Sequence, residues 1–172
     1  MIRVRAAQRG DAAAIGALHV ESWRDAYAGI LPDTVLLRLS AKAEGEKWAH
    51  VLACGEAVLI AETSERLVGF GSCGAARGTA LDYAGEVYTL YVHPDYHGQG
   101  IGRRLLHEMF VALGRMGHRS AVVWVLQSNP SRYFYEAMGG KRVADRQERL
   151  WGADLPQAAY GWRSLAVPCS PK

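Results

Sequence analysis

Val92-His93-Pro94-Asp95-Tyr96-His97-Gly98-Gln99-Gly100-Ile101-Gly102-Arg103-Arg104 decides how this chain reads. An apolar, strand-like run from Val87 to Val92 ends at a Pro-Asp turn, three glycines at alternate positions follow, and an amphipathic helix opens directly after them. Glycines let a backbone turn tightly and approach a ligand without Cβ obstruction. The unpaired N–H groups of the following helix then favour an anion. Arg103 and Arg104 fall in the first helical turn, where cations oppose the helix dipole and carboxylates are the favoured charge. Two arginines there fit a strongly negative group, such as a pyrophosphate, seated between loop and helix.

Two other phosphate loops are excluded by spacing. GxxxxGK[ST] is absent, and GxGxxG begun at Gly98 needs a glycine where Arg103 stands. What remains is His97-Gly98-Gln99-Gly100-Ile101-Gly102.

At 172 residues the chain suits one domain with one sizeable core, predicted over residues 1–166, with residues 167–172 as a loose tail. A hydrophobic content of 49% and a charged content of 22% are ordinary for a globular protein. No apolar run reaches the ~20 residues of a membrane helix. Met1-Ile2-Arg3-Val4-Arg5 lacks a signal peptide's apolar segment, so a cytoplasmic protein is expected. A net charge of +3 without a basic run gives no reason to expect nucleic acid. Cys54, Cys73 and Cys169 are odd in number and show no CxxC spacing, which argues against disulfides and a zinc site. Pro94 and Gly98 keep His93 and His97 from sharing a helix face, and no metal is expected.

The spacing predicts a strand over residues 2–6, a helix from about Asp11 to Tyr27, and short helices over 33–39 and 41–53, the latter capped by Ser40. Strands over 57–62 and 67–75 form a hairpin about Thr63–Arg66, and a loop over 77–85 leads to a strand at 86–92. A helix from Ile101 to Met116 buries Ile101, Leu105, Met109, Ala112 and Leu113, and Ala121–Leu126 is a strand covered on both faces. Pro130 opens a short helix to Met138, and two last strands are expected near 141–146 and 157–165.

The loop His97–Gly102 resembles the coenzyme A loop of the GNAT (Gcn5-related) N-acetyltransferase superfamily, and the order of elements is similar along nearly the whole chain. Leu90-Tyr91-Val92-His93-Pro94 resembles that family's bulged strand, Trp124-Val125-Leu126-Gln127-Ser128-Asn129 the next, splayed strand, and Phe134-Tyr135-Glu136-Ala137-Met138-Gly139-Gly140 its helix end. The resemblance implies an α/β single-domain GNAT-like fold: a mixed, mostly antiparallel sheet with a splayed central strand pair and flanking helices. It implies an acetyl-CoA-dependent N-acetyltransferase acting by direct attack on the thioester, with a catalytically silent acyl-CoA-binding sensor as the competing reading. Acetyl-CoA or coenzyme A is the expected cosubstrate and a small-molecule or peptide amine the expected partner, without nucleic acid or membrane; a homodimer is left open.

Site residues carry over by position. Leu90, Tyr91 and Val92 would face the pantetheine arm and supply an oxyanion donor. His97, Gly98, Gln99, Gly100, Ile101, Gly102, Arg103 and Arg104 would hold the pyrophosphate. Asn129 matches the pantetheine-bonding asparagine, although it is also placed as a helix N-cap, and it stands six positions before Tyr135 where seven is the commoner family spacing. Tyr135 matches the general acid that protonates the leaving thiolate, a role open to a phenol, and Glu86 the general base. Glu21, Trp23 and Tyr27 lie where the family builds its acceptor pocket, although the two aromatics also suit core packing.

Overall fold

The computed structural model describes residues 1–78 and 80–166, so the tail expected at 167–172 lies outside the described residues. The elements run β1 (Arg3–Ala6), α1 (Ala12–Ala26), α2 (Asp33–Leu37), α3 (Ala41–Ala53), β2 (Ala57–Glu62), β3 (Leu67–Ala75), β4 (Gly85–Val92), α4 (Ile101–Arg115), β5 (Ala121–Leu126), α5 (Ser131–Ala137), β6 (Lys141–Leu150) and β7 (Ala153–Trp162). Single 3₁₀ turns precede α1 at Arg9–Asp11 and follow β4 at Pro94–Tyr96. The strands form a seven-stranded mixed sheet in the order β1-β2-β3-β4-β5-β7-β6. The described chain divides into two compact units, Met1–Cys73 with Thr89–Met109, and Gly74–Tyr88 with the chain from Phe110 onward.

In the first unit, β1, β2 and β3 pair antiparallel. Ile15 and Leu18 of α1, Trp48 of α3, Val58 and Ile60 of β2 and Phe70 of β3 make one buried cluster. Ala61, Val68, Ile101 and Leu105 make another. The predicted stripe on α4 is present: Ile101, Leu105 and Met109 are buried here at four-residue spacing. Arg5 clasps the Asp11 carboxylate at 2.8 and 3.0 Å and the Glu62 carboxylate at 2.9 Å twice. Those bonds hold the Asp11 acid below its ordinary range.

In the second unit, β5 lies between a parallel neighbour and an antiparallel one. Gly85, Glu86 and Val87 of β4 pair with Ala121, Val122 and Val123, and Ala121–Leu126 pair with Trp162–Gln157 of β7. This explains the continuous apolar run expected of β5, since four of its six residues are Val or Leu covered on both faces.

The last hairpin differs from expectation. Both strands are ten residues long rather than ending near 146 and beginning near 157, and they join through Trp151-Gly152. Trp151 has φ 47° and Gly152 φ 80°, the paired left-handed residues of a type I′ turn, which matches the twist of the flanking strands. β4 also starts one residue early, at Gly85.

Candidate active site

The glycine loop belongs to the first unit. β4 ends at Val92, and the His93 backbone N–H donates to the Val68 carbonyl at 2.8 Å. The 3₁₀ turn Pro94–Tyr96 then leads into the loop, whose Gly98 and Gly100 have φ of 76° and 75°. L side chains rarely adopt that region, and a Cβ built at either glycine meets nothing within 4 Å. The predicted glycines therefore serve backbone shape and leave an open approach. α4 starts at Ile101, so its first N–H groups, which have no intrahelical acceptor, face the loop end.

The polar side chains of the loop are partly committed to the fold. His97 Nε2 lies 2.8 Å from the Val92 carbonyl, a bond it makes as donor, and Gln99 Nε2 reaches the Asp95 carbonyl at 3.5 Å. Arg104, in the first helical turn, donates from Nη1 to the Ile2 carbonyl at 2.9 Å. A cation near the positive helix end is offset there by a backbone acceptor from the residue before β1. Arg103 stands beside it at the second position after Ile101.

The acceptor-side residues form two clusters in the same unit. His19, Trp23 and Tyr27 recur at four-residue spacing along one stripe of α1 and its end. Trp23 meets Tyr27 edge-on at 4.9 Å between ring centroids, and His19 stacks on Tyr91 of β4 at 5.7 Å. The Tyr27 and Tyr91 hydroxyls are 3.4 Å apart. Behind them the Trp48 indole N–H donates to His19 Nδ1 at 3.0 Å, so a neutral His19 carries its proton on Nε2. Burial pushes the His19 imidazole below its ordinary range, against the pull of the Glu44 carboxylate at 3.4 Å.

Glu21 is not a lone carboxylate awaiting an amine. Its Oε2 sits 3.1 Å from Arg66 Nη2 and 3.2 Å from His93 Nε2. His93 in turn accepts the Asp95 backbone N–H on Nδ1 at 3.2 Å. Sequence reasoning weighed His93 only as a metal ligand; here it ties α1 to the segment that enters the glycine loop.

Three expected residues lie in the second unit. Tyr135 is the buried member of the run Tyr133-Phe134-Tyr135, with Tyr133 exposed and Phe134 between the two. Its ring lies 6.5 Å from Tyr160 in a stacked pose and 6.2 Å from Trp162 edge-on. Tyr160 donates to Glu136 at 2.8 Å, and burial together with that bond raises its phenol above the ordinary range. Asn129 is buried, and its Oδ1 accepts the Ser131 N–H at 2.9 Å. α5 begins at Ser131 with Pro130 at the N-cap, so Asn129 stands one residue before the cap position expected for it and braces the entry turn instead, which leaves the Nδ2 hydrogens as what this side chain can offer a ligand.

Glu86 is the most committed of the three. Its carboxylate accepts the Arg77 backbone N–H at 2.8 Å on Oε2, and Arg77 Nη2 at 2.8 Å and Nε at 3.3 Å on Oε1. The same guanidinium lies over the Tyr88 ring, 4.3 Å from its centroid. Sequence reasoning missed Arg77 altogether, since it falls in a stretch read as loop.

A model of the acetyltransferase (GNAT) domain matches residues 54–139. The uncharacterized N-acetyltransferase YuaI of Bacillus subtilis is 35% identical over 168 residues, covering 97% of this chain and 96% of its own. Among solved structures, yncA from Salmonella typhimurium with its cofactor acetyl-CoA superposes with a TM-score of 0.70 at 23% identity, over 100% of this chain and 98% of that one. The paia N-acetyltransferase from Thermoplasma acidophilum in complex with coenzyme A superposes with a TM-score of 0.66 at 20% identity, over 92% and 98%. At those identities the two structures speak to the fold alone.

Proposed function

The chain belongs to the GNAT acetyltransferase family, and on that footing we propose that it transfers an acetyl group from acetyl-CoA to the amine of a small-molecule or peptide acceptor. The observation that carries the proposal is the loop before α4. Gly98 and Gly100 hold left-handed backbone with open space where side chains would be, directly ahead of a helix N-terminus. An anionic pyrophosphate fits those donors, and Arg103 adds positive charge in the first turn. The cosubstrate supplies a thioester, an acyl group already activated toward a nitrogen nucleophile.

The chain's own part is positioning and proton handling. An alkylamine has an ordinary pKa of about 10.4, so it arrives protonated and must lose a proton before it can attack. The main chain of Leu90, Tyr91 and Val92 is assigned to the pantetheine arm and to an oxyanion donor, which contributes most when its N–H is fixed in place beforehand. Tyr135 is assigned as the acid that protonates the departing thiolate, and Asn129 as a donor to pantetheine through Nδ2. Trp23 and Tyr27 are assigned to the acceptor pocket, and the stack of His19 on Tyr91 supports including His19. Glu21 is assigned to holding His93 rather than to binding the amine, because two donors already share one of its oxygens. For Glu86 the bonds to Arg77 favour an anchor over a base.

A thermal-shift panel of acetyl-CoA, CoA, ATP and NAD tests the cosubstrate. Acetyl-CoA and CoA should stabilise the protein by about 2.7 kcal/mol at 100 times their dissociation constants. ATP and NAD should fall well short of that. Free-thiol release against a panel of amines, amino acids and peptides tests turnover. Stabilisation with no turnover on any acceptor overturns the enzymatic reading in favour of a silent CoA-binding sensor, and no stabilisation by CoA overturns both.

A further inference from the structure

The glycine loop is entered through the short turn Pro94–Tyr96, and two histidines complete the hydrogen bonds of that turn. Proline carries no N–H, so Asp95 supplies the first donor of the turn. The Tyr96 N–H goes to the His93 carbonyl at 2.9 Å, and the His97 N–H to the Pro94 carbonyl at 3.1 Å. The carbonyl three residues before Asp95 belongs to Val92, and it accepts from His97 Nε2 at 2.8 Å. The Asp95 N–H goes instead to His93 Nδ1, at 3.2 Å. His93 therefore caps the turn, where serine, threonine, aspartate and asparagine are the usual acceptors.

An imidazole differs from those caps in one respect: Nδ1 accepts only while it carries no proton. The proton of a neutral His93 then sits on Nε2, and Glu21 Oε2 lies 3.2 Å away to receive it. A second proton leaves that contact in place, since Nε2 remains a donor. It removes the Nδ1 lone pair, however, and sets two N–H groups against each other at 3.2 Å.

The charged groups around the ring come from three segments. Glu21 belongs to α1, Arg66 of the β2–β3 turn reaches the same Glu21 oxygen at 3.1 Å, and Asp95 Oδ2 is 3.9 Å from Nδ1. The Tyr96 ring meets the imidazole edge-on at 5.7 Å. His93 is 8% exposed, so water is a poor substitute for the partner it loses. A proton on Nδ1 has the Asp95 carboxylate within reach, but closing 3.9 Å to hydrogen-bond distance moves Asp95 and the turn with it. His97 does not share this dependence, because its Nε2 donates to Val92 whether the ring is neutral or charged.

We propose that His93 is a positioning residue for the glycine loop: its neutral form, protonated on Nε2, caps the entry turn, and a further proton uncaps it. Gly98 and Gly100 follow directly on that turn, so the cap fixes the direction in which the loop sets out. Resting on the reading that this loop holds coenzyme A, the consequence is that acid weakens cosubstrate binding through His93. Histidine changes charge between about pH 5 and 8, which is the window of the effect.

Titration calorimetry with coenzyme A, from about pH 8 down to about 5.5, tests this on the parent, His93→Asn and His93→Leu. Asparagine places Oδ1 as many bonds from the backbone as Nδ1 and does not titrate, so at pH 8 it should match the parent. Loss of a cap is worth a factor of about five. The parent should lose about that factor relative to His93→Asn as the pH falls, whereas His93→Leu should be weaker than His93→Asn by that factor at every pH. The ligand's phosphates and His97 titrate in all three proteins and cancel in these ratios. Two measurements need no cosubstrate. Imidazole nitrogen shifts should show His93 protonated on Nε2 at pH 8, and protection of the Asp95 amide from exchange, corrected for the intrinsic rate, should fall with pH in the parent and hold in His93→Asn. A neutral His93 with its proton on Nδ1, parallel affinity profiles for the parent and His93→Asn, or equal protection in the two overturns the proposal. If none of the three proteins binds coenzyme A, the cosubstrate reading fails, and the tautomer and the amide protection alone uphold or overturn the cap.

Discussion

The Glu86 carboxylate, 3% exposed, is bound by Arg77 through both its backbone N–H and its guanidinium, each at 2.8 Å. Arg77 follows β3 and Glu86 is the second residue of β4, so the pair closes the connection between those strands. To take a proton from an amine or from water, Glu86 has to use a lone pair that Arg77 does not already occupy.

Glu86→Gln should therefore act first on stability. Losing a charged acceptor in a buried site should cost about 1–3 kcal/mol, read as a lower denaturation midpoint. The pH–rate profile should keep the parent's shape. A profile that falls at low pH and recovers at high pH, where free amine no longer needs help, would restore Glu86 as the base and sink the anchor reading.

Gly100→Glu should abolish CoA binding in a protein that still folds. The backbone there is left-handed, so any side chain carries strain of about 1–2 kcal/mol, and glutamate adds negative charge where pyrophosphate is expected. Gly100→Ala separates the two effects, because its Cβ meets nothing within 4 Å and only the strain remains. Arg103→Ala should weaken CoA binding in a salt-dependent way. Arg104 donates to the Ile2 carbonyl, so Arg104→Ala asks whether that guanidinium leaves Ile2 for the ligand: a salt-dependent loss, measured by titration calorimetry at two salt concentrations, would show that it does, and unchanged affinity that it stays.

Cys73 and Cys54 should differ sharply toward a thiol reagent. Cys73 is fully buried, its Sγ donates to the Met109 carbonyl at 3.7 Å, and burial pushes its thiol up to about 12. At pH 7.5 its thiolate fraction is on the order of 10⁻⁴ or less. Cys54 is exposed, with His50 Nε2 at 3.6 Å from its sulfur. Peptide mapping should find Cys54 modified rapidly and Cys73 only after unfolding in denaturant. Labelling of both at one rate in native buffer would contradict the buried setting of Cys73.

What was legible in the sequence follows from what local pattern encodes. The stripe Ile101, Leu105, Met109 marks α4 because four-residue apolar spacing has one cheap solution, and the short turn Thr63–Arg66 marks the β2–β3 hairpin for a similar reason. Arg146-Gln147-Glu148-Arg149 gave no such signal. A strand with most of its residues exposed has no buried side to enforce alternation, so the strand expected there stopped near residue 146. The partners of Glu86, Glu21 and Arg104 were hidden for a different cause. Arg77, His93 and Ile2 meet them through the fold, at sequence separations no periodicity reports. Trp23 and Tyr27 were legible as acceptor-pocket candidates; His19, one turn earlier on the same stripe of α1, was visible in principle and was not singled out.

The last prediction concerns Tyr135. If its phenol protonates the departing thiolate, Tyr135→Phe should lower kcat by roughly 10²-fold, the lower end for general acid catalysis, and leave KM for acetyl-CoA nearly unchanged. The ring stays, so its contacts with Phe134, Tyr160 and Trp162 stay, and the thermal midpoint should shift little. The defect should persist on the alkaline side, because raising pH frees the amine but does nothing for a thiolate that lacks a donor. The outcome also separates chemistry from packing. Tyr135→Ala removes the buried ring and should cost about 3–5 kcal/mol by analogy with other aromatic truncations, so its activity reports on folding as well. Full activity in Tyr135→Phe at every pH would show the ring to be a packing element, and the rate would then rest on proximity and the backbone oxyanion donor.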